Sequence, residues 1–206
     1  MNFLAIDTSG NHLTVIASGK KLSVRYIPDC ALTHSVILMD EVENALKGAE
    51  ISLKDTEVLA CAVGPGSFTG IRIGIATVKA FSYAENIKVL PVTSFECLAY
   101  NIISEKRKLV LIDARHGNYY ACLFTADNKP ISSPSFLTEK EIENLIRNED
   151  SEVISDKETQ FNSIVADVKD GFLKAVEEKL NEATENRELL VSLYVKKSQA
   201  EEESGN

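Results

Sequence analysis

Two short apolar strands, far apart in the chain, end in aspartate and open the same order of elements. Ala5-Ile6-Asp7-Thr8-Ser9-Gly10 aligns with Leu111-Ile112-Asp113-Ala114-Arg115-His116, and each string is followed by a short turn, two further strands and a helix. An internal repeat of this kind asks for two similar sheets, each with its own helices, rather than one continuous sheet. Patterns of three strands and a helix are common by chance. The agreement of order and spacing, added to the shared aspartate, carries the reading.

In the first half, residues 2–7, 12–17 and 21–27 read as strands, with Gly10-Asn11 and Gly19-Lys20 as the turns. A helix follows from Thr33 to Lys47, with Leu38, Val42, Ala45 and Leu46 on one face and Gly48 as its stop. Val58 to Val63 and Val89 to Val92 are apolar runs of the kind covered on both faces. Between them, AVGPGSFTGIRIG, residues 62–74, turns sharply and opens a helix to about Ala84. Thr93 and Glu96 form a capping box before a short helix. The pattern restarts after Ser104-Glu105-Lys106-Arg107-Lys108. Leu109 to Asp113, Asn118 to Phe124 and residues 131–137 read as strands. Thr138 and Glu141 make a second capping box, for a helix bearing Ile142, Leu145 and Ile146. Val153-Ile154 is a short strand, Phe172 to Leu180 is a helix, and the closing AEEESGN is an acidic tail expected to be disordered.

The glycine segment is no known phosphate loop. Gly70 is followed by Ile71-Arg72 where a Walker loop needs Lys and Ser or Thr, and Gly64-Pro65-Gly66…Gly70 misses the dinucleotide spacing. Gly70 and Gly74 inside a helix cost about 1 kcal/mol each against alanine, a cost that suits close approach of a neighbouring backbone. With Thr77, Phe81, Ile73 and Ala80 beside them, they predict a small face for helix–helix contact with another molecule. Val36-Ile37-Leu38-Met39, apolar all round for one turn, points the same way. The alternative is that both helices are covered within one subunit.

Charge and cysteine content narrow the class. The net charge of −9, with 31 acids against 22 bases, repels nucleic acid, and no basic patch offsets it; Lys196-Lys197 is the best basic pair. No apolar run is long enough for a membrane span, and MNFLAIDTSG lacks the basic start of a signal peptide. Cys30, Cys61, Cys97 and Cys122 have no CxxC spacing and read as buried free thiols of a cytoplasmic protein. His34 is followed one turn later by Leu38, so a two-histidine metal site on that helix is not expected; His34 reads as a capping or surface histidine.

The strings LAIDTS, THSVILMDEVENAL, GPGSFTGIRIGIATVKAF, TSFECLA, DARHGNYYA and LYVKKSQAE together resemble the TsaB (YeaZ) family, over most of residues 1–125 and the stretch near Tyr194. The resemblance implies an α/β fold of the actin/Hsp70/sugar-kinase-like (ASKHA) type, a duplicated βββαβαβα unit with the second half reduced. Its subdomains would be residues 1–103 and 104–206. It also implies a role in making threonylcarbamoyladenosine at position 37 of tRNA, as a non-catalytic partner of TsaD that helps to recruit the ATPase TsaE. Such a protein forms homodimers when alone, meets tRNA only through the complex, and has no cofactor of its own, ATP and Mg²⁺ belonging to the complex. Carried onto this chain, the implied interface is Val36, Met39, Gly70, Arg72, Ile73, Gly74, Ala76, Thr77 and Ala80. Ser192 replaces the family's usual proline before Leu193-Tyr194.

The rival from another class is a stand-alone ATPase or kinase, with Asp7, Thr8 and Ser9 at a phosphate and Asp113 holding a hydrated Mg²⁺. Against it, a second glycine-rich loop late in the chain is missing. Asp7 and Asp113 also suit a plainer role, pinning their turns by Asx hydrogen bonds. Arg115 could pair with Asp113 on the surface or touch a nucleotide or partner.

Overall fold

The computed structural model describes residues 1–195. The acidic tail and the Lys196-Lys197 pair lie outside the described residues. Two five-stranded sheets are built on the same plan. In the first, β1 (Phe3–Asp7), β2 (His12–Ser18) and β3 (Leu22–Pro28) are antiparallel, and β4 (Val58–Ala62) and β5 (Lys88–Val92) extend the sheet in parallel on the other side of β1. In the second, β6 (Arg107–Asp113), β7 (Asn118–Phe124) and β8 (Ser135–Thr138) are antiparallel, and β9 (Ser151–Ser155) and β10 (Ile164–Val165) continue in parallel beyond β6. The order third-second-first-fourth-fifth therefore occurs twice. This is the duplicated α/β, actin/Hsp70/sugar-kinase-like architecture.

Helices follow the same plan with one omission. In the first half α1 (His34–Gly48) joins β3 to β4, α2 (Phe68–Glu85) joins β4 to β5, and α3 (Ser94–Ala99) follows β5. In the second, α4 (Glu139–Asn148) joins β8 to β9 and α5 (Val168–Lys179) follows β10, but residues 156–163 stand where a counterpart of α2 would be.

The last helix of each half covers the other half's sheet. Phe95, Leu98 and Ala99 of α3 pack with Val110, Ile112, Phe124 and Ile154. Phe172, Ala175 and Val176 of α5 pack with Phe3, Ala5, Val58, Ala60 and Leu90. Each such Phe, Leu, Ile or Val side chain stabilises by about 1.5–3 kcal/mol when fully buried, so this exchange ties the two sheets together. The outer face of the first sheet is covered by α1 and α2, through Leu38, Val42, Ile71, Ile75 and Val78; that of the second is covered by α4, through Ile142.

Polar residues finish the ends. Both capping boxes form, Thr93 with Glu96 and Thr138 with Glu141. Glu96 also takes the buried Lys179 ammonium, joining α3 to α5. Lys108 is buried in β6, and its Nζ donates to the carbonyls of Ala99 and Ile102 and to Asn128 Oδ1, which closes the C-terminal end of α3. All four cysteines are free and buried. Among the described residues, no helix is long and apolar enough to cross a membrane.

Candidate functional site

A cleft of about 630 Å³ opens between the two sheets. Ser9, Ser67 and Ser94 lie along it, His12 stands on the side of the first half, and Asp113, Arg115 and Lys157 on the side of the second. Both repeat aspartates stand at this cleft's turns, and both make Asx bonds. Asp7 Oδ1 accepts the Ser9 amide at 2.7 Å, and Asp113 Oδ1 accepts the Arg115 amide at 2.8 Å.

The second oxygen of each carboxylate meets a base. Asp7 Oδ2 lies 3.1 Å from His12 Nε2, and Asp113 Oδ2 takes the Lys157 ammonium. Burial alone pushes the Asp7 carboxyl up, but the His12 charge and hydrogen bond, with the Ser9 bonds, outweigh it and hold Asp7 below its ordinary value. His12 moves the opposite way: burial lowers it, and the Asp7 carboxylate outweighs that and raises it. For Asp113 burial also works upward, and the Lys157 and Arg115 bonds bring the carboxyl below its ordinary value. Arg115 thus serves Asp113 with its backbone amide, and the ion pair with the carboxylate is made by Lys157.

The β1–β2 turn is spent on its own chain. Thr8 Oγ1 donates to the Gly70 carbonyl at 2.7 Å, Ser9 accepts the Ser67 amide at 2.7 Å through its carbonyl, and its hydroxyl bonds to that of Ser94. Asp7, Thr8 and Ser9 are all buried. A phosphate would find the Thr8 hydroxyl and the Ser9 amide already bonded within the chain, and a hydrated Mg²⁺ would find a hydrogen bond on each Asp7 oxygen, so this turn does not fit the clasp that a stand-alone ATPase needs. Nor does His34 fit a metal centre. It is buried rather than a cap or a surface group, and its Nε2 bonds to the His12 carbonyl at 2.8 Å. Among the described residues, no group of three or more His, Cys, Asp or Glu side chains is placed to hold a metal ion.

The glycines of α2 correct one expectation. Gly70 and Gly74 are buried and do not thin an outward face. A Cβ at Gly70 would lie 2.0 Å from the Thr8 carbonyl oxygen, and one at Gly74 2.6 Å from Thr8 Oγ1. Their smallness admits the chain's own first hairpin turn, and both leave the expected interface. The remaining expected residues stand differently. Val36 is 74 % exposed and Met39 53 %. Arg72, Ala76 and Ala80 are exposed, and Ile73 and Thr77 are half-buried along the same helix. Leu32, just before α1, is exposed almost in full.

A family model described as TsaD, tRNA N6-adenosine threonylcarbamoyltransferase, matches residues 27–145. The tRNA threonylcarbamoyladenosine biosynthesis proteins TsaB of Bacillus subtilis and of a Buchnera aphidicola strain from Schizaphis graminum are 35 % and 32 % identical, over 62 % and 57 % of this chain. The chain belongs to this family, on its TsaB (YeaZ) branch. It spans 57 % of the length of each of those two relatives. A solved structure of YeaZ from Pseudomonas aeruginosa superposes with a TM-score of 0.76 at 21 % identity, covering 94 % of this chain and 99 % of that one, a likeness of fold.

Proposed function

We propose that this chain is a non-catalytic subunit in the formation of threonylcarbamoyladenosine on tRNA. It docks through α1 and α2 onto a TsaD-family protein that carries the chemistry, and it helps to bring the ATPase TsaE to the pair. It works in the cytoplasm, meets tRNA only through the complex, and forms a homodimer through the same face when the partner is absent. It needs no cofactor of its own.

The observation that carries this reading is the exposed apolar residues of two helices in contact, Val36 and Met39 on α1 and Ala76 and Ala80 on α2. A surface of this kind marks a site of protein association. The internal use of Asp7, Thr8 and Ser9 speaks against catalysis at the cleft. The physical role is a shift of populations: a partner that binds only the competent form of the transferase raises the share of that form.

The test is a calorimetric titration of the purified chain against the TsaD-family protein of the same organism. Val36→Asp, a change at an exposed position, is expected to weaken association by about 30-fold or more. Absence of binding by the unaltered chain, or modification of tRNA by the purified chain without other proteins, would sink the proposal.

A further inference from the structure

At the N-terminal end of α2, Phe68 and Arg72, one helical turn apart, stand together at the surface with Tyr194, 122 residues further along the chain. The Arg72 guanidinium lies over the Phe68 ring, 3.7 Å from its centroid, and Arg72 Nε donates to the Tyr194 hydroxyl at 2.9 Å. The two rings are 5.4 Å apart. Tyr194 is itself anchored, because the Leu193 amide donates to the Val63 carbonyl at 2.8 Å and Leu193 packs into the core between the sheets. Both rings remain 47 % exposed. Among the described residues, neither Nη group of Arg72 has an acceptor. The chain is rich in acids, yet α2 carries none before Glu85.

We infer that Phe68, Arg72 and Tyr194 form a preset receptor for a carboxylate side chain of the partner protein. An arginine fork matches a carboxylate in two parallel hydrogen bonds. Its side-chain freedom is ordinarily lost on docking; here the stack on Phe68 and the bond to Tyr194 have removed much of it beforehand. The two rings shield the ion pair from water once a partner covers them. A protein carboxylate fits better than a nucleic-acid phosphate. One arginine does not hold a polyanion to a chain of charge −9. The inference rests on the docking of the chain through α1 and α2, and extends that face to the helix's N-terminal end.

The experiment is the same titration with Arg72→Ala, Arg72→Lys and Tyr194→Phe, run beside Val36→Asp. Arg72→Ala is expected to weaken association about 30-fold, and Arg72→Lys about tenfold, since lysine keeps the charge and loses the fork. Tyr194→Phe removes only a hydroxyl and is expected to cost about threefold, an effect that disappears when Arg72 is already alanine. That coupling, with unchanged thermal midpoints, separates positioning of Arg72 from a general structural role. Affinity within twofold of the unaltered chain for Arg72→Ala, while Val36→Asp still weakens binding, overturns the receptor and leaves the docking face standing. Weaker retention of tRNA with unchanged partner affinity overturns it in favour of a phosphate. No binding by the unaltered chain removes the docking face, and the receptor with it.

Discussion

The two halves carry the same aspartate turn under different covers. Asp7 and Asp113 each hold the amide two residues on, at 2.7 and 2.8 Å, and each gives its other oxygen to a base. In the first half the link from β4 to β5 is α2, whose glycine face settles on the turn and removes Asp7 from water. In the second half the corresponding link is residues 156–163, which supply Lys157 and leave Asp113 partly in contact with solvent. One connection thus decides how much the same carboxylate weighs: paired and buried, it is expensive to disturb; paired at the surface, it is cheap.

The largest expected effect tests the cover itself. At Gly70 a Cβ would meet a backbone oxygen, that of Thr8, which cannot step aside without moving β1. Gly70→Ala is therefore expected to lower stability by about 3 kcal/mol or more in urea denaturation. Gly117 stands at the matching turn of the second half with a φ of 70°. A Cβ there would meet only the Glu139 side chain, at 3.2 Å. Gly117→Ala should cost about 1–2 kcal/mol, from its left-handed backbone alone. Equal losses would erase the distinction between a covered and an open turn.

The carboxylates come next. Asp7→Asn keeps an acceptor for the Ser9 amide but takes the charge away from His12 in a buried place. A loss of about 2–3 kcal/mol is expected, the worth of a hydrogen bond to a charged group. Asp113→Asn faces an exposed lysine and should cost under about 1 kcal/mol. Denaturation midpoints of the two variants, measured side by side, check the ratio; a larger loss for Asp113 would reverse the comparison.

What was legible beforehand divides along similar lines. The repeat, the capping boxes at Thr93 and Thr138, the Asx turns and the apolar strands β4 and β6 are local patterns, and the chain folds as they read. β10 is a two-residue strand, Ile164–Val165, too short for any periodicity. The glycine face was visible as small but not as inward. A helical wheel shows which residues share a side, and not whether a hairpin turn or another molecule lies against it. The partner of Asp113 is 44 residues away, and that of Arg72 is 122 away. No spacing rule links such pairs. His34 and Lys108 were hidden for the same reason, since each places a side-chain nitrogen on carbonyls that only the fold brings near.

The smallest effect is a slope with pH above neutral, and of the two aspartate–base pairs only that of the first half should show it. Asp7 is held below its ordinary value, so its contribution is present above the unfolded carboxyl range and lost as acid reaches its folded value. His12 is raised above 6.5, so its contribution is present below that value and lost as pH rises through its folded one. Between these limits the pair is whole. Denaturation free energy of the unaltered chain should therefore decline as pH rises above about 6.5, and His12→Gln should flatten that decline. The pair in the second half adds nothing in this range, because Lys157 is raised from 10.5 and Asp113 is lowered from 3.8. A decline that persists in His12→Gln would place the titrating group elsewhere, and the buried turn would then owe its stability to packing and to the Ser9 bond rather than to its histidine.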